Sequence, residues 1–485
     1  MPTVILRAQL MLLMLHRWSK NTRKYNIFWE QQECCSFFCE LFVKIYKNHQ
    51  KSLNICDILY VNTLLRKDDD IMSNYNLKIF TENIEPTALN QIYELVKQPA
   101  FSECKVRIMP DVHAGTGCVI GFTADLGEKV IPNIVGVDIG CGMLTAKLGK
   151  IDIDYAELDR VIRDYIPYGR NVRDDAVEYI LDDDINNLKC YKHLKNVDRI
   201  RCSLGTLGSN NHFIEVDESK DGTKYLIIHT GSRNLGKQVA EYYQNRAIEE
   251  MSGKDELEQQ CQNLIKQYKA DGRQKEIEKA LSELRRKWQN KKLNVPKELC
   301  YLTGQSRLDY LHDMTICQQF ASLNRLCIFR IIARAMGWEV ASNIAVTHDV
   351  PDLFETVHNY IDFTTNHDTN MVRKGAISAK KGEYVLIPMN MRDGCILGIG
   401  KGNEDWNCSA PHGAGRLMSR SMAKDTISFD EYKNSMQGIY TTSVCQETID
   451  ESPQAYKSVD EIVKLIEPTV EVIEILKPVY NFKAN

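Results

Sequence analysis

Residues 136–142 read Gly-Val-Asp-Ile-Gly-Cys-Gly and combine two metal-binding side chains with three glycines. Asp138 and Cys141 are close enough in sequence for a carboxylate and a thiolate to converge on one cation, while the glycines permit close approach of the backbone. A thiolate can also bridge two metal ions. The alternative interpretation is a buried cysteine beside an aspartate that caps a turn, and these residues alone leave both open.

Single histidines occur in several other short segments that are mostly rich in glycine and poor in charge. They are His212 in Gly-Ser-Asn-Asn-His-Phe at 208–213, His229 in His-Thr-Gly-Ser-Arg at 229–233, His358 before Asn359, and His412 in His-Gly-Ala-Gly-Arg at 412–416. A zinc finger would instead hold its ligands in pairs a few residues apart. The scatter predicts a catalytic metal centre assembled at strand ends and turns. For His212 a core histidine bonded to a backbone carbonyl is the alternative, and His348 and His367, without glycines around them, are interpreted as structural.

Two of these segments also favour phosphate binding. Arg233 lies on the same predicted turn as His229, and a bidentate oxyanion binder beside a metal ligand suits a phosphate held next to a cation. The glycines after His412 can direct backbone N–H groups at phosphate near the start of a helix predicted to run through Met422. His412 is therefore a candidate nucleophile toward a nucleotide phosphate, and its alternative role is a metal ligand.

The composition is that of an ordinary soluble globular protein. Of 485 residues, 43% are hydrophobic and 26% are charged, and the formal net charge is −4, so no global attraction to nucleic acid is expected. An RNA partner would have to be bound by local basic patches. The sixteen cysteines lack the spacing of a secreted disulfide framework, which indicates reduced thiols and a cytoplasmic location. The apolar run at residues 10–15 is too short to span a bilayer, so no membrane partner is predicted.

Residues 1–71 differ in character from the rest of the chain. They contain no glycine and show no sustained periodicity, whereas Met72 is soon followed by a strand pattern at 77–80 and a helix pattern at 86–97. We predict that residues 1–71 are a non-native or dispensable extension and that one large domain spans residues 72–485. The alternative is a targeting or partner-binding extension.

The charged segment at residues 237–300 is predicted to be a helical insertion in this domain. Glu and Lys recur three or four residues apart, which is typical of a helical hairpin, with a break near Asp271-Gly272. The pattern fits either a solvated arm or an arm that contacts RNA, and the basic residues at 285–287 favour RNA contact. Around this segment, strand patterns at 213–216 and 225–229 and helix patterns at 306–336 and 459–466 predict an α+β fold of mixed sheets and helices.

Five motifs, in this order, resemble those of the RtcB-type RNA-splicing ligases. They are Met109–Gly115, the 136–142 segment, Gly208–Glu215, His229–Arg233 and His412–Arg416. The resemblance covers about residues 74–485 and implies a single large domain of the RtcB type. It also implies a GTP- and Mn²⁺-dependent ligase that joins an RNA 3′-phosphate, or a 2′,3′-cyclic phosphate after opening, to a 5′-hydroxyl. Such activity serves tRNA splicing or RNA repair, with RNA and GTP as partners and two Mn²⁺ ions per active site.

The resemblance also assigns roles to individual residues. Its metal ligands match Asp138, Cys141, His212, His229 and His358, with Cys141 bridging the two ions. Its guanylylated histidine matches His412, and Arg233 is the residue expected to hold the RNA phosphate. Its guanylate-binding residues match Asn211, His212, Phe213, Ile214, Glu215, His358, Asn359, Pro388, His412, Gly413, Ala414, Gly415, Tyr456 and Lys483.

The chain departs from the family pattern at residues 388–394, which read Pro-Met-Asn-Met-Arg-Asp-Gly where many relatives have Pro-Gly-Ser-Met. The departure indicates a divergent, bacterial-type subgroup and affects the guanylate contacts expected of this loop. A metal-dependent phosphohydrolase acting on RNA ends is the alternative enzyme, and a catalytically silent RNA-binding protein is the alternative outside enzymes. The physiological RNA, the oligomeric state and any activating protein partner are not determined by the sequence.

Overall fold

The computed structural model describes residues 75–177, 181–209, 211–289, 293–338, 352–363 and 370–483. The predictions made for residues 1–71, for Met72 as the start of the domain, and for His348 and His367 concern residues outside these ranges. They therefore stay predictions.

The described residues form fourteen β-strands and twelve α-helices, which confirms the α+β prediction. The strands are β1 Leu77–Ile79, β2 Val106–His113, β3 Ile120–Asp125, β4 Gly142–Gly149, β5 Phe213–Glu218, β6 Lys224–Thr230, β7 Leu353–Val357, β8 Asn359–Asp362, β9 Met371–Lys374, β10 Ala376–Ser378, β11 Tyr384–Asn390, β12 Gly394–Gly400, β13 Ser409–Pro411 and β14 Val470–Lys483. The helices are α1 Pro86–Val96, α2 Pro132–Val135, α3 Tyr155–Tyr165, α4 Leu181–Asn186, α5 Val197–Arg201, α6 Arg233–Met251, α7 Lys254–Ala270, α8 Ile277–Gln289, α9 Gly304–Ala335, α10 Arg420–Thr426, α11 Phe429–Ser435 and α12 Val459–Ile466.

The largest sheet has seven strands in the order β11-β12-β14-β5-β6-β4-β7, and every neighbouring pair is antiparallel. A second sheet has the order β1-β2-β3-β9-β8, with one parallel pair between β1 and β2. The strands β10 and β13 form a two-stranded sheet. Because β8 begins two residues after β7 ends, the turn at His358 connects the two larger sheets.

Helix α9 is the central support of both larger sheets. Its buried residues include Tyr310, Phe320 and Ile328, which belong to the two largest apolar clusters. Two buried polar residues on α9, Asn324 and Arg325, instead hydrogen-bond to backbone outside the helix. Asn324 accepts N–H groups of Gly205 and Thr206, at 2.7 and 3.1 Å. Helix α9 is 32 residues long, and the polar residues on its buried face hold neighbouring backbone in place while its apolar residues pack in the core.

The charged segment divides into a core helix and an exposed hairpin. Helix α6 begins at Arg233 and buries Leu235, Val239 and Tyr243, so the first part of the predicted 237–300 insertion packs in the core. By contrast, α7 has no buried residue, and with α8 it forms the hairpin. The break is at the predicted position, where Asp271 ends α7 and Gly272 has φ +70°. The exposed arm is therefore residues 254–289.

Several predicted helices have nearly the predicted bounds. The pattern at 86–97 corresponds to α1, the pattern at 306–336 to α9, and the pattern at 459–466 to α12. Pro86 at the first position of α1 and Gly337 at φ +66° after α9 are the local signals that fix these ends. None of the helices within the described ranges has the length and hydropathy needed to cross a membrane.

Candidate active site

Five neighbouring strands of the large sheet carry candidate functional residues at the same end. His212 precedes β5, His229 is the next-to-last residue of β6, Cys141 precedes β4, His358 follows β7, and Lys483 ends β14. The antiparallel register aligns these positions, because Phe213 is opposite both His229 and Lys483 while Gly142 is opposite both Thr230 and Val357. Residues far apart in sequence are thus brought together by strand pairing alone.

The side chains at this end form a candidate metal centre. The Sγ atom of Cys141 lies 3.5 Å from Nε2 of His212 and 3.3 Å from Nε2 of His229, and all three residues are buried. Oδ2 of Asp138 lies 3.0 Å from the same Nε2 of His212. Ligands that bind one ion at about 2.0–2.3 Å are separated by distances of this size. The ring of His358 stands 5.2 Å from that of His229, measured between centroids.

The orientation of the imidazole rings fits a bound cation. Nδ1–H of His212 donates to the carbonyl oxygen of Leu207 at 2.8 Å, and Nδ1–H of His229 donates to that of Asn211 at 3.1 Å, so both Nε2 lone pairs face Cys141. Nδ1 of His358 is buried and has no hydrogen-bond partner among the described residues. A bound metal ion would accept electron pairs from these side chains and would explain why a buried imidazole nitrogen of His358 has no hydrogen-bond partner.

The electrostatics of the candidate centre lead to the same inference. Burial and the neighbouring His212 and His412 rings hold the pKa of His229 well below its usual value, so this ring is neutral and can be a ligand. His212 lowers the pKa of Asp138 to about 2 against the effect of burial. Burial and the charge of Asp138 raise the pKa of the Cys141 thiol well above its usual value. A thiolate at Cys141 therefore requires the positive charge of a bound cation.

Two glycines and a buried arginine hold the ligand loop in place. A Cβ atom at Gly140 would lie 2.9 Å from the backbone of Gln318 on α9, and Gly140 has φ +72°, so no other residue fits there without a shift. A Cβ atom at Gly231 would lie 2.3 Å from Oδ1 of Asp138. Arg325 donates from Nη1 to the carbonyl oxygens of Gly140 and Thr230, at 2.9 and 2.8 Å. The glycines predicted to permit close approach do so here.

His412 lies beside this centre and is oriented by an aspartate. Its ring centroid is 4.8 Å from that of His358, and its Nδ1 is 2.6 Å from Oδ2 of Asp111, which is fully buried on β2. The same oxygen accepts the backbone N–H of His412 at 3.0 Å. An Nδ1–H that donates to a carboxylate leaves the Nε2 lone pair free for nucleophilic attack. Asp111 lies within the Met109–Gly115 motif without a predicted role, although a lone carboxylate inside a buried strand is a signal of function.

The helix predicted after His412 begins later than expected. Residues 412–419 are irregular and α10 starts at Arg420, so the glycines after His412 are not at a helix N-terminus. Gly415 instead has φ +74° and lies against Asp111, where a Cβ atom would be 2.5 Å from the backbone oxygen. The glycines thus serve the close packing of the histidine loop on β2.

A cleft opens from His412 along the end of the sheet. It is lined by many of the residues predicted to bind guanylate, which are Asn211, Phe213, Glu215, Pro388, His412, Gly413, Ala414, Gly415, Tyr456 and Lys483. The divergent segment at 388–394 forms the tip of the β11–β12 hairpin, and Pro388 to Met391 make up one wall.

Other predicted site residues do not line the cleft. Ile214 alternates with its neighbours on β5 and packs in the core on the opposite face, so its side chain is not a nucleotide contact. The side chain of Asn359 bridges the carbonyl of Asp138, at 3.2 Å, and the N–H of Gly375, at 3.1 Å. His212 and His358 are buried, and His212 belongs to the candidate metal-ligand group with Cys141 and His229.

Arg233 is also beside the metal ligands and not in the cleft. It has φ +55° at the start of α6, and its Nη1 lies 3.1 Å from Nδ1 of His212. Its guanidinium packs on Gly208, where a Cβ atom would lie 1.8 Å from Nη2. The sequence predicted Arg233 beside His229, whereas its guanidinium lies beside His212, and Arg233 is not among the residues that line the cleft.

A buried carboxylate that the sequence analysis did not identify organises the far end of the cleft. Glu451 accepts hydrogen bonds from Lys483, from Arg420 and from the hydroxyl of Tyr456, the last at 2.7 Å. Lys483 and Arg420 lower the pKa of Glu451 to about 2 despite its burial. Its position after a run of turns gave no periodic signal, so only the fold reveals that it meets the end of β14.

These features define an α+β enzyme with a metal-ligand group next to a carboxylate-oriented histidine. Residues 91–484 match the sequence model of the family described as tRNA-splicing ligase RtcB, and the chain belongs to that family of ligases. The chain is 29% identical over 437 residues to the RNA-splicing ligase RtcB of Escherichia coli strain K12, which covers 84% of the chain and 98% of the relative. It is 28% identical over 443 residues to the tRNA-splicing ligase RtcB of Nanoarchaeum equitans, and this match covers 74% of the chain and 83% of the relative.

Proposed function

We propose that the protein is a GTP- and Mn²⁺-dependent RNA ligase that joins RNA 3′-phosphate or 2′,3′-cyclic phosphate ends to 5′-hydroxyl ends through a guanylylated histidine. Membership of the family supports the ligase class, and the relatives named above are RNA- and tRNA-splicing ligases. The observation that carries the covalent step is the 2.6 Å contact from Asp111 to His412 beside the metal-ligand group.

The metal ligands are Asp138, Cys141, His212, His229 and His358. Two Mn²⁺ ions bound there would neutralise charge on the reacting phosphates and on the attacking and leaving oxygens. Cys141 is the candidate bridging ligand, because its sulfur lies within 3.5 Å of two different imidazole nitrogens. Thiolate and imidazole do not favour Mn²⁺ over Zn²⁺ by affinity, so metal availability and exchangeable open positions decide which ion is used.

His412 is the nucleophile of the first step. Its Nε2 attacks the α-phosphorus of GTP, a P–N bond forms, and pyrophosphate leaves. Asp111 holds the ring by accepting the Nδ1 proton and stabilises the positive charge that develops on the imidazole. The neutral state of the neighbouring His229 and His358, whose pKa values burial lowers, avoids repulsion during this step.

The RNA ends react in the two later steps. An oxygen of the 3′-phosphate attacks the guanylyl phosphorus and releases His412, and the 5′-hydroxyl then attacks the activated end and expels GMP. Arg233 is the candidate group for holding the RNA phosphate, because its guanidinium Nη1 lies 3.1 Å from Nδ1 of the proposed metal ligand His212. The nucleotide occupies the cleft between His412 and Lys483, with Phe213 and Tyr456 as its aromatic walls.

The deciding experiment is incubation with GTP labelled at the α-phosphate and Mn²⁺. A ligase of this type acquires a protein-bound label that is acid-labile and alkali-stable, as a phosphoramidate is. A metal-dependent phosphohydrolase would release phosphate from RNA ends and acquire no label, and a silent RNA-binding protein would do neither. Absence of label under conditions in which the metal ions are bound would refute the proposal.

A further inference from the structure

Behind the cleft, a buried polar group crosses three strands of the large sheet. Glu215 and Asp217 point to the same face of β5, and Cys395 on β12 lies close to both. One carboxyl oxygen from each acid and the sulfur of Cys395 all lie within 4.8 Å of one another. Asn481 on β14 is opposite Glu215 and donates from Nδ2 to its Oε2 at 2.5 Å. Glu215 and Asn481 line the cleft, whereas Asp217 is fully buried.

The two carboxyl groups differ in the hydrogen bonds that they accept. Glu215 has the amide of Asn481 as a donor, and the Cys395 thiol lies 3.7 Å from its Oε1. Neither oxygen of Asp217 has a hydrogen-bond partner among the described residues. Two adjacent buried carboxylates without enough donors would be strongly destabilising, so the pair must hold a proton between them.

The surroundings support one shared proton. Burial raises the pKa of Asp217, and burial together with the neighbouring Asp217 raises the pKa of Glu215 well above its usual value. The pKa of the Cys395 thiol is also raised well above its usual value, so β12 contributes no charge. Strand β6 places Ile227 and Tyr225 opposite the pair, and Lys477 on β14 is the cation that acts on Asp217.

A second observation points to a ligand with N–H donors. Oδ1 of Asn481 is buried and has no partner within the described chain, although its residue lines the cleft beside Glu215. Guanine presents two adjacent N–H donors on its pyrimidine edge, and an ionised carboxylate accepts both. Adenine presents an acceptor nitrogen at the corresponding position, which a protonated carboxyl would favour. The location of the proton therefore decides which purine Glu215 accepts.

We propose that Asp217 is a specificity-determining positioning residue that takes the shared proton when guanine docks, leaving Glu215 ionised. The proton moves from a Glu215 carboxyl oxygen to an Asp217 carboxyl oxygen, and the pair keeps a single negative charge. Asp217 touches no substrate and acts through Glu215. This inference rests on the proposed use of GTP, and it extends that function by assigning the purine preference to a residue outside the cleft.

The test compares Asp217→Asn with Asp217→Leu. The amide of Asp217→Asn can donate to Glu215 as a protonated Asp217 would, whereas leucine has a similar size and no donor. Glu218→Leu is the matched control, because it lies on the same strand and faces away. Guanylylation is measured as KM and kcat with GTP and with ATP, together with metal content and thermal unfolding.

In Asp217→Leu we expect the KM for GTP to rise about tenfold or more and the preference for GTP over ATP to fall, since a hydrogen bond to a charged acceptor is lost. Metal content and thermal unfolding should match those of the unsubstituted protein, which separates a purine-binding defect from misfolding. Asp217→Asn should restore the GTP preference, with a KM within about threefold of the unsubstituted protein.

Two results overturn the inference. One is an Asp217→Asn variant as impaired as Asp217→Leu, which would show that a charge at Asp217 is needed. The other is a lower metal content in Asp217→Asn, which would show that Glu215, Asp217 and Cys395 hold an ion. The Asp217→Asn result decides the matter even if Asp217→Leu does not fold. Failure of the unsubstituted protein to take up label would instead refute the proposed function.

Discussion

Oδ2 of Asp111 contacts both the ring Nδ1 and the backbone N–H of His412, at 2.6 and 3.0 Å. One carboxylate oxygen thus fixes both the position of the main chain and the orientation of the imidazole. Asp111 comes from β2 of the five-stranded sheet, while Cys141, His212 and His229 lie at strand ends of the seven-stranded sheet, so the partner of the nucleophile and most of the candidate metal ligands are held by different sheets. Predictions for each can therefore be separated.

Asp111→Asn should slow guanylylation of His412 by about 10²- to 10⁴-fold. The amide would donate toward Nδ1 and favour the tautomer with the proton on Nε2, which is then unable to attack. The rate of covalent label uptake from GTP measures the effect. Metal content should be unchanged, since Asp111 is not among the ligands, and a normal labelling rate would contradict the role assigned to it.

Cys141→Ala should remove both metal ions, whereas His358→Ala should weaken only one. The reason is that the Cys141 sulfur lies between His212 and His229, while His358 is at one side. Elemental analysis of the purified variants gives the count, with Cys118→Ala as the control because this buried thiol lies outside the ligand group. Two ions retained in Cys141→Ala would exclude the bridging role.

His412→Ala should abolish guanylylation and leave the metal site loaded. The five other ligands remain, so the variant should still join an RNA whose 3′-phosphate already carries guanylate. Gel analysis of ligation with the pre-activated RNA measures this rescue. Loss of metal in His412→Ala would instead make the residue a ligand, and failure to ligate with normal metal content would give it another role in the last step.

Glu451→Gln should lower the free energy of unfolding at neutral pH and make that free energy change less as the pH falls. The folded-state pKa of Glu451 is depressed from 4.5 to about 2, so its contribution is present above about pH 4.5 and is lost as the pH falls toward 2. The shift corresponds to about 3 kcal/mol at neutral pH. Urea unfolding at a series of pH values measures it, with the exposed Glu471→Gln as control. Equal acid dependence in both variants would refute the prediction.

Much of the fold could be predicted because its signals are local. The ends of α1, α9 and α12 follow from Pro86, Gly337 and a Ser458 cap, and the break in the charged hairpin follows from Gly272. The strand patterns of β5 and β6 were equally visible. The sequence pattern could not show that α6 packs in the core while α7 is exposed. The two helices are similar in composition, and the buried residues of α6 alternate with polar ones.

The candidate metal ligands and His412 could be grouped from residue type and glycine context, but their hydrogen-bond partners could not be predicted in this way. Asp111 and Asn481 contact their partners across 301 and 266 positions, and Glu451 meets Lys483 across 32. Such pairing depends on strand order, which no local pattern gives. Ile214 shows the converse. It lies within the Gly208–Glu215 motif, yet side chains alternate between the two faces of β5 and that of Ile214 points into the core.

Strand β14 has a further consequence for how an active molecule forms. It lies between β12 and β5 in the middle of the sheet, although it follows both neighbours in the chain. Before it inserts, β11-β12 and β5-β6-β4-β7 are separate ribbons with open edges, and the cleft lacks Asn481 and Lys483. The proposed nucleotide cleft therefore depends on a long-range strand pairing, and a chain in which β14 has not paired exposes two sheet edges prone to association.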